Sequence, residues 1–259
     1  TREILGAGKL FGIMLFGGDR LGPRMWLLAT VLVVFGAHFS ALWILMANSW
    51  MQTPQGFTTR MTEWGNQAFM TNFGSVVNTP SFLPRLLHTW VASWIIGSAL
   101  VLSVSAWYLL KNRHQEFAKR NFSTAIKVFT VLAILQVVVF GAQMAISVTK
   151  NQPEKLASIE GNWTAESCAP LYLVGWVDES AEKTYAIGVP CLLSLLSYGS
   201  FDATVPGIEK FPKDDWAPVN LAFQAYHLMI DLGFLFPLIG LVAWFVWWRR
   251  KKERIPRWL

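Results

Sequence analysis

Four long stretches almost free of charge dominate this sequence: Met25–Ala47, Leu87–Leu110, Ala125–Val148 and Val219–Trp248. Each reaches or exceeds the roughly 20 apolar residues that a bilayer core about 30 Å thick demands. Inside hydrocarbon the backbone has no water to bond, so such runs are predicted to be helices. The last run is long enough to tilt. A fifth stretch, Ile4–Gly17, carries Lys9 and four glycines and is too short to span unless it continues upstream. Thr1–Gly18 reads as the tail of a helix already under way, and an upstream part is expected. Only 15% of the residues are charged, against about 25% in soluble domains. The 14 tryptophans suit rings that anchor at a membrane interface.

The net charge of +6 does not indicate a nucleic-acid partner, because the basic residues gather at the ends of the apolar runs. That placement orients membrane helices. Arg20 and Arg24 precede the first full run, and Lys111, Arg113, Lys119, Arg120 and Lys127 lie around the junction of the second and third. Arg249, Arg250, Lys251, Lys252, Arg254 and Arg257 follow the fourth. If the runs alternate, all three groups fall on one side, the cytoplasmic one, and Asn48–Arg85 and Thr149–Ala217 face outward. The expected fold is therefore all-α, a polytopic transmembrane helical bundle in the lipid bilayer with a large extracytoplasmic loop. Residues 1–148 hold transmembrane helices, the first of them partial. The loop is 149–217, a further transmembrane helix is 218–248, and 249–259 is a basic cytoplasmic tail.

The second outward segment far exceeds the ~15 residues beyond which a loop is functional or disordered. Trp163, Tyr172, Trp176, Tyr185 and the apolar run Val189–Tyr198 predict a folded cap near the interface. Cys168 and Cys191 lie in it, either as a disulfide or as two free thiols.

Four histidines are present. His114 sits in the basic loop and reads as a solvated residue. His38, His88 and His227 fall in or beside apolar helices, where an ionisable group is costly and marks function by default. The alternative is a hydrogen bond to a neighbouring helix. His88 opens the second full run from the outer side, and Met229 lies in the outer half of the last. Two such residues at similar depth make an axial pair for a low-spin heme, although periodicity alone does not single out a methionine. In the loop, a helix over 150–161 places Lys155 and Glu160 five residues apart, only roughly on one face. Lys155 suits a polar head group and Glu160 a hydroxyl proton; a solvated charge pair is the alternative.

Several strings carry a family resemblance. Phe16-Gly17-Gly18-Asp19-Arg20-Leu21-Gly22 resembles the segment closing an early helix of cytochrome bd-type quinol oxidase subunit I. Ser40-Ala41-Leu42-Trp43, then Ala47-Asn48-Ser49-Trp50-Met51-Gln52-Thr53-Pro54, is similar to that family's next helix end. Ser105-Ala106-Trp107-Tyr108-Leu109-Leu110-Lys111-Asn112-Arg113 with Phe117-Ala118-Lys119-Arg120 is similar to its cytoplasmic loop, and Lys155-Leu156-Ala157-Ser158-Ile159-Glu160 to its quinol loop. The order and spacing of the four are specific.

The resemblance implies roles. His88 and Met229 match the axial ligands of low-spin heme b, and Lys155 and Glu160 match residues of quinol binding and oxidation. It implies a quinol oxidase in the bacterial or archaeal cytoplasmic membrane, taking ubiquinol or menaquinol. Oxygen is reduced to water at a second heme b and a heme d, beside a subunit II and small membrane subunits. The family's high-spin ligands and its late Gly-Arg-Gln-Pro-Trp string fall outside this sequence. A glutamate twelve residues before Asp19 is here Ala7, the arginine two before the methionine ligand is His227, and His38 replaces an amide. His227 retains the ability to bond a heme propionate. Two other readings stay open: a split or degenerate paralogue that passes quinol electrons to a partner without reducing oxygen, and a non-redox membrane scaffold or transporter part. Transporters show broken helices and internal symmetry, and neither is legible here.

Overall fold

The computed structural model describes residues 11–18 and 20–250. Ile4–Leu10, Asp19 and the tail beyond Arg250 lie outside the described residues. Among the described residues, four helices are long and apolar enough to cross a membrane: α1 (Pro23–Gln52), α3 (Phe82–Leu110), α4 (Gln115–Asn151) and α7 (Val219–Arg249). The helices overrun their predicted runs, α7 by one residue and α4 by ten at its start, because hydropathy marks the hydrocarbon depth while a helix can continue beyond it. The fold is that of a mostly helical membrane bundle. The loop segments add short sheets that composition did not announce.

The chain divides into two compact units that meet between Leu86 and Leu87. In the first, residues 11–16 are helical. Pro23 opens α1, where its missing N–H costs nothing. An antiparallel hairpin of β1 (Phe57–Thr62) and β2 (Gly65–Met70) follows, then a short α2 (Phe73–Val77). Gly56 turns the chain into the hairpin at φ 68°, and a Cβ there would stand 2.6 Å from the Asn72 carbonyl. The Thr53 and Ser81 hydroxyls meet at 2.7 Å and tie the end of α1 to the start of α3.

In the second unit, α4 contains a π-helical turn at Gln136–Gly141. The loop that follows folds as α5 (Pro153–Glu160), β3 (Glu166–Ser167), β4 (Leu171–Asp178), β5 (Lys183–Val189), α6 (Leu192–Tyr198) and β6 (Thr204–Val205). Strands β4 and β5 form one antiparallel pair, β3 and β6 another. The apolar run Val189–Tyr198 divides, its first residue closing β5 and most of the rest forming α6. Cys168 and Cys191 are bonded as a disulfide, which decides between the two states left open by the sequence. The loop packs on α7 through Ala157, Val177, Ile208, Val219 and Phe223, so the expected cap is a folded one.

Helices α3 and α7 both pack on α4. Val91 and Ile95 of α3 meet Phe129 and Ala133 of α4. Phe236 of α7 meets Phe129 with ring centroids 6.1 Å apart, and Trp247 meets Phe122 at 4.8 Å. Leu102, Ala106, Ala243 and Trp247 join Phe122 and Ile126 in one cluster. Both helices run antiparallel to α4 and hence parallel to each other. Gly240 allows the closest approach: a Cβ there would lie 2.6 Å from Thr130 Oγ1. Gly240→Leu should therefore cost about 1–3 kcal/mol through overpacking. The check is an earlier thermal unfolding midpoint in detergent than for Gly97→Leu, whose added Cβ would meet nothing within 4 Å.

Candidate functional site

The parallel course of α3 and α7 fixes the relative depth of two residues. Ala106 and Trp247 share one cluster near the basic end of the bundle. His88 lies 18 residues before Ala106, and Met229 lies 18 residues before Trp247. Eighteen residues are five helical turns, a rise of about 27 Å. On regular helices this spacing would bring His88 and Met229 to a similar depth and to the side of the packed residues. The intermediate positions agree with this. Ile95, Ala99 and Leu102 below His88, and Phe236, Gly240 and Ala243 below Met229, also face the seam with α4.

The seam is packed at the basic end, whereas the face of α7 that carries Met229 is exposed. Met229 is 51% exposed, although Trp247 on its own face is 3% exposed. Gly233, seven residues before the tightly packed Gly240, would place a Cβ within 4 Å of nothing. The His88 ring sits against the Phe140 carbonyl, and its Nδ1 is buried with no hydrogen-bond partner. The π turn closes round this residue, because Gln136 Nε2 donates to the His88 carbonyl at 3.1 Å and Gln136 Oε1 is left without a partner. Such turns recur at functional sites. An orphaned imidazole nitrogen, a thioether and unfilled space on a packed face fit a bound heme with one ligand from each helix.

A second cluster stands one turn from Met229 along α7. Glu160 is 1% exposed and ends α5, where Gly161 at φ 64° takes the left-handed cap. Thr184 Oγ1 donates to the Gly161 carbonyl at 2.6 Å, holding that turn against β5. Strand β4 is held to α7 by Gln224 Nε2 donating to the Gly175 carbonyl at 2.7 Å. The Glu160 carboxyl thus faces α7, with its Oε2 at 3.9 Å from His227 Nε2. Neither of these two atoms has a hydrogen-bond partner. His227 Nδ1 donates to the Phe223 carbonyl at 2.9 Å, so Nε2 presents its lone pair to Glu160. The Tyr226 hydroxyl bonds the same carboxyl. Burial pushes the Glu160 carboxyl up from 4.5 to about 7, against the opposing effect of Tyr226.

The profile of the cytochrome bd terminal oxidase subunit I family matches residues 7–259. The chain belongs to that family. It is 36% identical over 229 residues to cytochrome bd-II ubiquinol oxidase subunit 1 of Escherichia coli (strain K12), covering 86% of this chain and 43% of the relative. It is 32% identical over 254 residues to cytochrome bd ubiquinol oxidase subunit 1 of Bacillus subtilis (strain 168), covering 93% of this chain and 53% of that one. The bd oxidase structure from Geobacillus thermodenitrificans superposes with a TM-score of 0.79 at 25% identity, over 93% of this chain and 55% of that chain. The chain spans about half the length of the curated subunit 1 relatives it matches. It is a multi-pass membrane protein of the bd subunit I family, a family of heme proteins.

The residues picked out from the bd subunit I strings fall into two groups. His88 and Met229 keep equal helical intervals to one packed cluster, and Glu160 and His227 lie 3.9 Å apart. Lys155 is half-buried on α5, five residues before Glu160 and on a different face of a single helix. Both ring nitrogens of His227 are turned to protein groups. His38 lies in α1 with Nδ1 2.9 Å from the Val34 carbonyl, its own helix's preceding turn. His114 is exposed and caps the start of α4. Sequence reasoning missed Tyr226 and Gln136, since a tyrosine or glutamine in an apolar helix carries no pattern of its own. The adjacency of Tyr226 to His227 was the available signal.

Proposed function

We propose that this chain is the quinol-oxidising part of subunit I of a cytochrome bd-type terminal oxidase in a bacterial or archaeal cytoplasmic membrane. The observation that supports it best is the equal spacing of His88 and Met229 from one packed cluster on parallel helices, with Met229 exposed. His88 and Met229 would hold the iron of a low-spin heme b. Heme b, when bound, supplies a one-electron acceptor. Lys155 engages the polar head of the quinol. Glu160 takes a hydroxyl proton, since burial keeps its proton affinity close to neutral pH. His227 Nε2 stands 3.9 Å from that carboxyl. The basic end of the bundle faces the cytoplasm, so the proton leaves on the loop side. The relatives' remaining length would carry a second heme b and heme d, where oxygen is reduced to water with subunit II and small membrane subunits.

A second reading rests on Ala7, which stands where the family carries a glutamate: a split or degenerate paralogue that binds one heme and passes quinol electrons to a partner. A reduced-minus-oxidised spectrum separates the readings. A b signal with a d-type band supports the oxidase, and a lone b signal supports the paralogue. No heme leaves a scaffold or transporter part. Lys155→Ala should raise the KM for quinol about tenfold through loss of one charge-assisted contact, with heme content intact. Equal kinetics in variant and parent would remove Lys155 from the site.

A further inference from the structure

The π turn of α4 begins at Gln136, and the Gln136 side chain crosses to α3. Its Nε2 donates to the His88 carbonyl at 3.1 Å. A carbonyl only accepts, so it dictates which end of the amide it meets, and Gln136 Oε1 is the end left over. That oxygen is buried and has no partner. His88 Nδ1 is also buried and also has no partner. Two residues already joined by one hydrogen bond thus carry a spare acceptor and a ring nitrogen that lacks one. Atoms in that state are costly when shut away from water. On an imidazole, Nδ1 lies next to the backbone and Nε2 at the tip. A histidine that gives Nε2 to a metal carries its proton on Nδ1 and donates it to a neighbouring acceptor. The rival acceptor is the Phe140 carbonyl beside the ring. It is held in the backbone of the π turn, and Nδ1 makes no hydrogen bond to it. The Gln136 oxygen, by contrast, is carried on a side chain that can swing.

We propose that Gln136 is a positioning residue for His88: its amide nitrogen holds the His88 carbonyl, and its amide oxygen takes the Nδ1 proton when Nε2 is given to the iron of heme b. The inference rests on the reading of His88 and Met229 as the residues that hold that heme, and adds the group behind the histidine. A hydrogen bond of this kind fixes the tautomer and the ring orientation and makes the ligating nitrogen more basic. A more basic ligand favours ferric over ferrous iron and lowers the reduction potential. Gln136 acts only through His88. Its place at the start of a π turn agrees with the recurrence of such turns at functional sites.

The test is a redox titration of the heme b absorbance in the intact membrane complex. Gln136→Leu keeps the bulk and removes both amide contacts, whereas Gln136→Glu keeps an oxygen acceptor. Gln136→Leu should move the reduced-to-oxidised ratio at a fixed potential about fivefold toward the reduced form, the worth of one hydrogen bond. That is a rise in midpoint of about 40 mV at 59 mV per tenfold. Gln136→Glu should titrate at or below the parental midpoint. A leucine variant with the parental midpoint overturns the role and leaves the Phe140 carbonyl as the acceptor. A glutamate variant whose midpoint rises also overturns it, because a side chain that merely props α4 against α3 moves the potential without regard to the acceptor. If Gln136→Leu does not retain heme, the glutamate midpoint alone decides in the same sense. A parental protein without a histidine–methionine low-spin signal defeats the ligand reading, and this role falls with it; an unmoved midpoint with that signal present defeats Gln136 alone.

Discussion

Glu160→Gln is expected to slow quinol oxidation by a factor of about 10²–10⁴, the usual worth of a general base, with the heme spectrum at full amplitude. The amide has the shape of the carboxyl and still accepts from Tyr226, so the pocket between α5 and α7 stays packed; what is lost is the capacity to take a proton. The pH dependence gives a second handle. In the parent, kcat/KM should rise with pH through about 7 as the carboxyl ionises. In the variant that limb should vanish. Stability runs the other way. Folding raises the carboxyl from 4.5 to about 7, so the native state holds a proton that the unfolded chain gives up between those values. Stability from this group is complete below pH 4.5 and is lost as pH rises through about 7, a change of about 3 kcal/mol. Glu160→Gln should flatten that fall. A variant with parental turnover at every pH would remove Glu160 from the chemistry.

Met229→Ala is expected to weaken the low-spin b signal at least about tenfold, since even residues behind a metal's ligands cost 10–100-fold when removed. The argument is one of packing. Met229 is 51% exposed, so it fills no protein cavity. Truncating it removes little protein contact, and helix packing should survive. Trp247, five turns below on the same helix, is 3% exposed and serves as the contrast: shortening it would damage the bundle itself. Loss of the b signal in Met229→Ala with an unchanged unfolding midpoint is the combination expected of a ligand. An unchanged spectrum would refute the assignment.

The membrane helices were legible because hydrocarbon imposes one requirement on every residue of a span, and a run of apolar residues states it directly. Their ends were less so, since α4 begins at Gln115, well before the apolar run at Ala125, with Lys119 and Arg120 on its first turns. The loop sheets were hidden for a different reason. Strands β4 and β5 are made by pairing, with Gly175 opposite Ala186 and Trp176 opposite Tyr185, and one strand does not announce its partner. Glu160 and His88 drew attention as polar groups in costly places. Met229 did not, because a methionine in an apolar helix is ordinary, and only its family string singled it out. Its equal 18-residue interval with His88 gained meaning once Ala106 and Trp247 were found in one cluster. Tyr226 stayed hidden because its role lies in contact with α5, which sequence order separates from α7 by the whole folded loop.

Near-infrared magnetic circular dichroism of the oxidised protein reads the axial ligands of a low-spin heme directly, because histidine–methionine and bis-histidine pairs give charge-transfer bands at different energies. The arrangement of His88 and Met229 calls for the histidine–methionine band, lost in Met229→Ala. A bis-histidine band, or a parental band that persists in that variant, would contradict it.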